Sequence, residues 1–223
     1  MLSCCTVLAL TLPAMADADA DALARKIVDR AGDPYALSSL EFTFVVTAGG
    51  DEKVRRAYSW QPRAGTLTVN MGGDAVKFEG LGTHDPTTLV TDASADEADW
   101  AAVCPATAPQ RAAQAWSAFV NDSYWLLAPS KLMDPGAQRS INEEGLLEMS
   151  FENVGLTPGD RYTLTVDKET SEVVAWSFIL QNGTVGSFFW TDHKASGPLT
   201  ISMHRATDAG DFVIQFEDVR ATP

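Results

Sequence analysis

From Leu146 to Val219 large apolar residues fall on every second position, in runs broken only by short turn sequences. Tyr162, Leu164 and Val166 alternate with Arg161, Thr163 and Thr165. Val174, Trp176, Phe178 and Leu180 continue the alternation, followed by Phe188 with Trp190 and then Phe212, Ile214 and Phe216. Successive side chains of a strand point to opposite faces, so this spacing predicts an antiparallel meander of five or six strands with one aromatic face. Asn182-Gly183 separates two of these runs and predicts a two-residue turn, whose central positions both need φ > 0.

The earlier half reads in two registers. Leu23, Ala24, Ile27, Val28 and Ala31 form one apolar stripe at helical spacing, with acidic residues leading it, Arg25, Lys26 and Arg30 closing it, and Gly32 and Pro34 after it. That predicts a helix over Asp17 to Ala31. Strands follow: Leu40, Phe42, Phe44 and Val46; then Val54, Arg56, Tyr58 and Trp60, ended by Pro62; then Leu67, Val69 and Met71; then Val76 and Phe78. The Gly49-Gly50-Asp51 and Gly72-Gly73-Asp74 sequences supply turns.

Between Ser94 and Leu127 the strand signal vanishes. Ser94 with Glu97 fits a capping box for a short helix through Cys104. Pro109 suits the first turn of a second helix with Ala112, Trp116, Phe119 and Val120 as its stripe. Asn121-Asp122-Ser123 reads as a break before Tyr124 to Leu127, and Lys131 to Gly145 as a loop. The total is about ten strands and three helices in one domain over residues 17–223.

Residues 1–16 are uncharged, mostly apolar, and end in Ala14-Met15-Ala16. They predict a secretory signal peptide, too short for a membrane span, with the mature chain starting at Asp17. No Lys or Arg precedes the apolar run, so either the true start lies upstream or the signal is atypical; the run follows Cys4 and Cys5, which disfavours a lipoprotein anchor. Of three cysteines only Cys104 would remain, so no internal disulfide is expected and Cys104 reads as a small buried hydrophobe. The net charge of −14 argues against nucleic acid and against an anionic membrane surface as partners.

Several stretches carry a family resemblance. Tyr162-Thr163-Leu164-Thr165-Val166-Asp167-Lys168-Glu169-Thr170, with Val173 to Phe178 after it, resembles the hairpin of the periplasmic lipoprotein-carrier (LolA/LolB-like) superfamily: a strand, an Asp-x-x-Thr turn and a strand bearing Trp. Phe119 to Pro129 resembles a stretch of exported members of that group, and Gly197-Pro198-Leu199 and Phe212 to Val219 fit its final strands. The likeness runs from about residue 20 to 220. It implies a mainly β (α+β) fold: a strongly curved antiparallel half-barrel whose concave face is covered by helices and takes up acyl chains. It also implies an Arg on an early strand that holds the lid shut, and Arg55 and Arg56 lie in that neighbourhood. The helical insert is longer and richer in Trp than in the carriers themselves, so an apolar ligand, not a lipoprotein specifically, is what the resemblance supports.

The sequence shows no serine-hydrolase elbow, zinc-protease, paired-cysteine or phosphate-loop motif. His84, His193 and His204 share no metal-ligand spacing, and Glu143-Glu144 reads as solvated charge. No enzyme activity, cofactor or metal is therefore expected. The expected activity is binding of a lipid, acyl chain or other apolar ligand. Its expected lining is Phe42, Phe44, Tyr58, Trp60, Leu67, Val69, Leu164, Trp176, Phe178, Phe188 and Trp190, closed over by Trp116, Phe119 and Trp125, with a membrane or envelope protein as the further partner. The alternative is an exported interaction module with a filled core and no ligand. Hydrolysis by two distant carboxylates ranks below both.

Overall fold

The computed structural model describes residues 18–81, 97–151 and 159–223. The expected signal peptide and its cleavage point before Asp17, His84, and Ser94 of the expected capping box lie outside the described residues. Helix α1 (Ala18–Ala31) is followed by β1 (Ser39–Ala48), β2 (Asp51–Gln61), β3 (Thr66–Asn70) and β4 (Val76–Phe78). Then come α2 (Glu97–Val103) and α3 (Pro109–Leu127), and β5 (Ala137–Ile141), β6 (Leu147–Phe151), β7 (Arg161–Val166), β8 (Val173–Ile179), β9 (Val185–Ser196), β10 (Leu199–Ala206) and β11 (Phe212–Thr222). One antiparallel sheet takes all eleven strands in the order β4-β3-β2-β1-β11-β10-β9-β8-β7-β6-β5. The six strands from β6 onward match the meander read from period two.

This order explains where the helices lie. β4 and β5 are the two edges of the sheet yet are adjacent in the chain. The segment joining them must therefore cross the full width of the sheet, and it does so over one face as α2 and α3. The same helix measures the curvature. Phe119 meets Tyr58 and Trp60 on β2 at ring-centroid distances of 5.8 and 5.6 Å. Trp125 meets Trp176 on β8 at 4.7 Å and Phe188 on β9 at 5.1 Å. Six helical residues rise only about 9 Å, whereas β2 and β8 would stand about 24 Å apart in a flat sheet. The sheet therefore curls around α3, as a half-barrel left open between β4 and β5.

α1 plugs the same concave side, packing against β5, β6 and β10. Its Ala20, Ala24, Ile27 and Ala31 are buried, and ion pairs from Arg30 to Glu172 and from Asp21 to Arg139 tie it down. Gly32 stops it at φ +88°, and a Cβ there would stand 2.4 Å from the Pro198 carbonyl oxygen. No other residue fits that approach between helix end and sheet.

Three expectations are corrected. Asn121-Asp122-Ser123 does not break α3, which runs unbroken to Leu127. These side chains disfavour a helix when they compete for its backbone. Here Asp122 is engaged by Arg56 and Tyr58 and accepts from Asn121, which leaves the helical ladder intact. The stretch from Lys131 to Gly145 is not all loop. It contains β5, which pairs with β6 from Ala137↔Phe151 to Ile141↔Leu147, and this short, polar edge strand has no alternating apolar run to betray it. The turn between β8 and β9 has three residues, not two. Leu180 and Thr184 close it, Gly183 N–H donates to the Leu180 carbonyl, and only Gly183 takes positive φ, at +83°. Asn182 instead uses its side chain, accepting from Thr184 N–H, which is the type I turn plus left-handed residue of the next commonest hairpin. Replacing Gly183 by Val is expected to lower stability by at least ~1 kcal/mol, because a β-branched residue resists that φ; an unchanged urea midpoint would contradict it.

Candidate functional site

The fourteen residues expected to line an apolar site all come together on the concave face. Phe42, Phe44, Tyr58, Leu67, Val69, Trp116, Phe119, Leu164, Trp176, Phe188 and Trp190 are buried in one cluster, and Trp60, Trp125 and Phe178 pack against it half-buried. The phase of each strand delivers them: Leu164 pairs with Trp176, and Trp176 with Phe188, along one row of the sheet. One detail of phase differs. A register shift between Thr165 and Val166 makes Val173, not Val174, the buried residue at the start of β8.

The rings form two groups. Phe42, Phe44, Tyr58, Trp60, Trp116 and Phe119 with Phe78, Trp100 and Phe216 make one, on the β1–β4 side. Trp125, Trp176, Phe178, Phe188 and Trp190 with Tyr124, Phe151 and Tyr162 make the other, on the β6–β9 side. α3 contributes to both. In the state described, its stripe fills the concavity.

A buried polar tie holds α3 down. The Arg56 guanidinium donates from Nε and Nη2 to the two Asp122 carboxylate oxygens at 2.8 and 2.9 Å, and Tyr58 donates its hydroxyl to Asp122 at 2.6 Å. The Asp122 side chain is fully buried and that of Arg56 is 25% exposed. Burial raises the Asp122 carboxyl above the ordinary carboxylate value, against the opposing pull of Arg56, Tyr58 and Asn121. Burial and the Asp122 charge push the Tyr58 hydroxyl up as well. Of the two early-strand arginines, Arg56 therefore faces α3. Arg55 points to the other face, pairing with Glu52 and Glu217 at 2.9 and 2.7 Å.

Sequence reasoning missed Asp122, Tyr124 and Arg205. Asp122 continues the stripe Ala112, Ala115, Trp116, Phe119 at helical spacing, and this was the signal available once the helix is drawn unbroken. Arg205 shares a phase with Leu199, Ile201 and Met203 on β10, so its parity points it inward.

The histidines have local partners. His193 Nε2 lies 3.0 Å from the Val173 carbonyl and His204 Nδ1 lies 3.3 Å from the Thr191 hydroxyl. Among the described residues no cluster of three or more His, Cys, Asp or Glu could hold a metal ion. Cys104 is a free, buried thiol. No described helix is long and apolar enough to cross a membrane.

On the convex face a groove of about 460 Å³ runs over β6–β9, bordered by Glu148, Thr163, Ser177, Ile179, Val185 and Ser187. Ile179 and Val185 are exposed in it, and Phe189, in phase with Val185 on β9, is exposed on the same face.

No family model matches the sequence, and no curated protein matches it. Among solved structures the chain is similar to a LolA-superfamily protein from Nitrosomonas europaea, at 9% identity, 92% of this chain, 94% of that one and a TM-score of 0.49. It is also similar to a DUF1329-family protein from Desulfovibrio piger, at 10% identity, 91% and 92% coverage and a TM-score of 0.42. A proposed outer membrane lipoprotein-sorting domain from Vibrio parahaemolyticus gives 10% identity, 90% and 91% coverage and a TM-score of 0.39.

Proposed function

We propose that this chain is an exported, periplasmic binding protein for a lipid, an acyl chain or another apolar ligand, with α3 as its lid. One observation carries the reading: an aromatic concave face drawn from both halves of the sheet is covered by α3, which is tied down through Asp122. A filled interior and a carrier are compatible under this arrangement. When α3 lifts, an acyl chain takes the place of its Trp116, Phe119 and Trp125 side chains, so the aromatic sheet face stays covered in either state. Each methylene transferred contributes about 0.8 kcal/mol. A dozen of them contribute about 10 kcal/mol gross, against which stand the costs of ordering the ligand and breaking the Asp122 tie. No covalent step is involved.

Delipidated protein is expected to bind a fluorescent fatty acid at about one per chain, followed by the rise in probe emission on titration. No binding up to the solubility limit of the probe would overturn the reading.

A second reading has its own observation. Ile179, Val185 and Phe189 on the convex face are the kind of exposed apolar group that a partner protein covers. An interaction module would use that face and leave the concave core permanently filled. Polar substitution of Val185 would then abolish capture of an envelope protein and leave fatty-acid titrations flat.

A further inference from the structure

Arg205 sits on β10, the central strand of the eleven, with a side chain completely buried on the concave side. Its guanidinium carbon lies 3.9 Å from the centre of the Trp190 ring and 4.7 Å from that of Phe216. It thus stands at the seam between the two aromatic groups. Nη1 donates to the Ser202 carbonyl at 2.8 Å. Nε and Nη2 have no hydrogen-bond partner, and neither do the indole nitrogens of Trp176 and Trp190 or the Tyr124 hydroxyl. Trp190, Trp176 and Tyr124 are linked in a row, at 4.9 and 6.1 Å between ring centres.

A buried cation without a counter-charge is costly, and each buried donor left unpaired adds to the cost. Among the described residues no carboxylate forms an ion pair with Arg205. Aromatic faces offset part of the deficit, but they accept no hydrogen bond from the free edge. That edge, Nε with Nη2, is the side of a guanidinium that receives both oxygens of one carboxylate or phosphate. Each of these unpaired groups can donate, so an acceptor would complete them all.

We propose that Arg205, with the Trp176 and Trp190 indole nitrogens and the Tyr124 hydroxyl, receives the anionic oxygens of an amphiphile's head group. Its acyl chain would lie along the aromatic face. This inference rests on the carrier reading and narrows it: the ligand is a fatty carboxylate or a lipid phosphate, not a neutral hydrocarbon. The head enters first, toward the middle of the sheet, and the lid closes over the chain. Such an orientation explains why an arginine stands where the phase of β10 otherwise carries Leu199, Ile201 and Met203.

The test is displacement of a neutral, polarity-sensitive dye from delipidated protein by palmitate, by cetyl alcohol of the same chain length, and by acetate or inorganic phosphate alone. Wild type is expected to prefer palmitate over cetyl alcohol by about tenfold or more, as charge-assisted hydrogen bonds would give. Arg205→Met is expected to lose that preference, the affinity for palmitate falling to that for the alcohol. The variant should fold, since an apolar replacement for a buried, unpaired charge is tolerated; its urea midpoint checks this, and the wild-type selectivity decides the matter without it. A lysophosphatidate in the same assay separates a lipid phosphate from a fatty carboxylate, and Arg205-dependent preference for either supports the proposal. Equal affinity for acid and alcohol in wild type, or a preference that survives Arg205→Met, would overturn it while leaving the carrier reading in place. Displacement by acetate or phosphate alone as strong as by palmitate would overturn the amphiphile. Failure of every lipid to bind would remove the carrier reading and this inference together.

Discussion

Trp176→Ala is expected to lower the free energy of unfolding by ~3–5 kcal/mol, the range for deleting a large aromatic from a packed core. The magnitude follows from its surroundings. Trp176 is 2% exposed and its ring meets those of Tyr124, Trp125, Tyr162, Phe178 and Trp190. Ring contacts of this number hold the neighbours in place, so little of the volume lost is recovered by collapse. The same substitution opens room beneath α3, so fatty-acid affinity should change with it, and the preferred chain should lengthen. Urea titration reads the first effect and probe binding the second. A loss under ~1 kcal/mol would mean that the aromatic row is loosely packed even with the lid shut.

Breaking the tie under α3 should be comparably severe. Arg56→Met leaves the Asp122 carboxyl buried without its cation, and removing one partner of a buried pair costs ~3–5 kcal/mol. Burial already raises the Asp122 pKa above its ordinary value in wild type, and the variant should raise it further. A carboxyl whose folded-state pKa exceeds its unfolded value gives full stabilisation below the unfolded pKa and loses it as pH rises through the folded pKa. The deficit of Arg56→Met relative to wild type is therefore largest at neutral pH and shrinks on acidification. A deficit that grows on acidification would contradict the assignment. Combining Arg56→Met with Asp122→Leu should restore part of the loss, leaving the Tyr58 hydroxyl as the unpaired group.

Most of the sheet was legible from period two because its inner face is so uniformly apolar. Phe42, Leu164, Trp176 and Phe188 announce themselves by parity alone. β5 escaped notice since Ala137 to Ile141 at an exposed edge buries little, and only pairing with β6 makes it a strand. The unbroken α3 escaped because the polar triplet Asn121-Asp122-Ser123 is unfavourable to a helix by local rules, and its remedy lies on β2, some 64 to 66 residues away. The turn at Gly183 was located correctly but given the wrong length, since Asn-Gly suits more than one hairpin geometry and the register of β8 against β9 decides between them. The tie under α3 is a long-range pairing that no local pattern encodes; parity could place Arg205 inside, but only the fold shows that its free edge meets no partner.

In the proposed carrier an acyl chain lies between α3 and the aromatic face. Bromine-labelled stearate tests it most directly, because bromine quenches indole emission only near contact and the chain carries six tryptophans, among them Trp116, Trp125, Trp176 and Trp190 at the face itself. Saturating bromostearate is expected to quench most of the tryptophan emission, while unlabelled stearate displaces it and restores the signal. Stearate that binds yet leaves emission unchanged on bromination would place the ligand elsewhere and contradict the account.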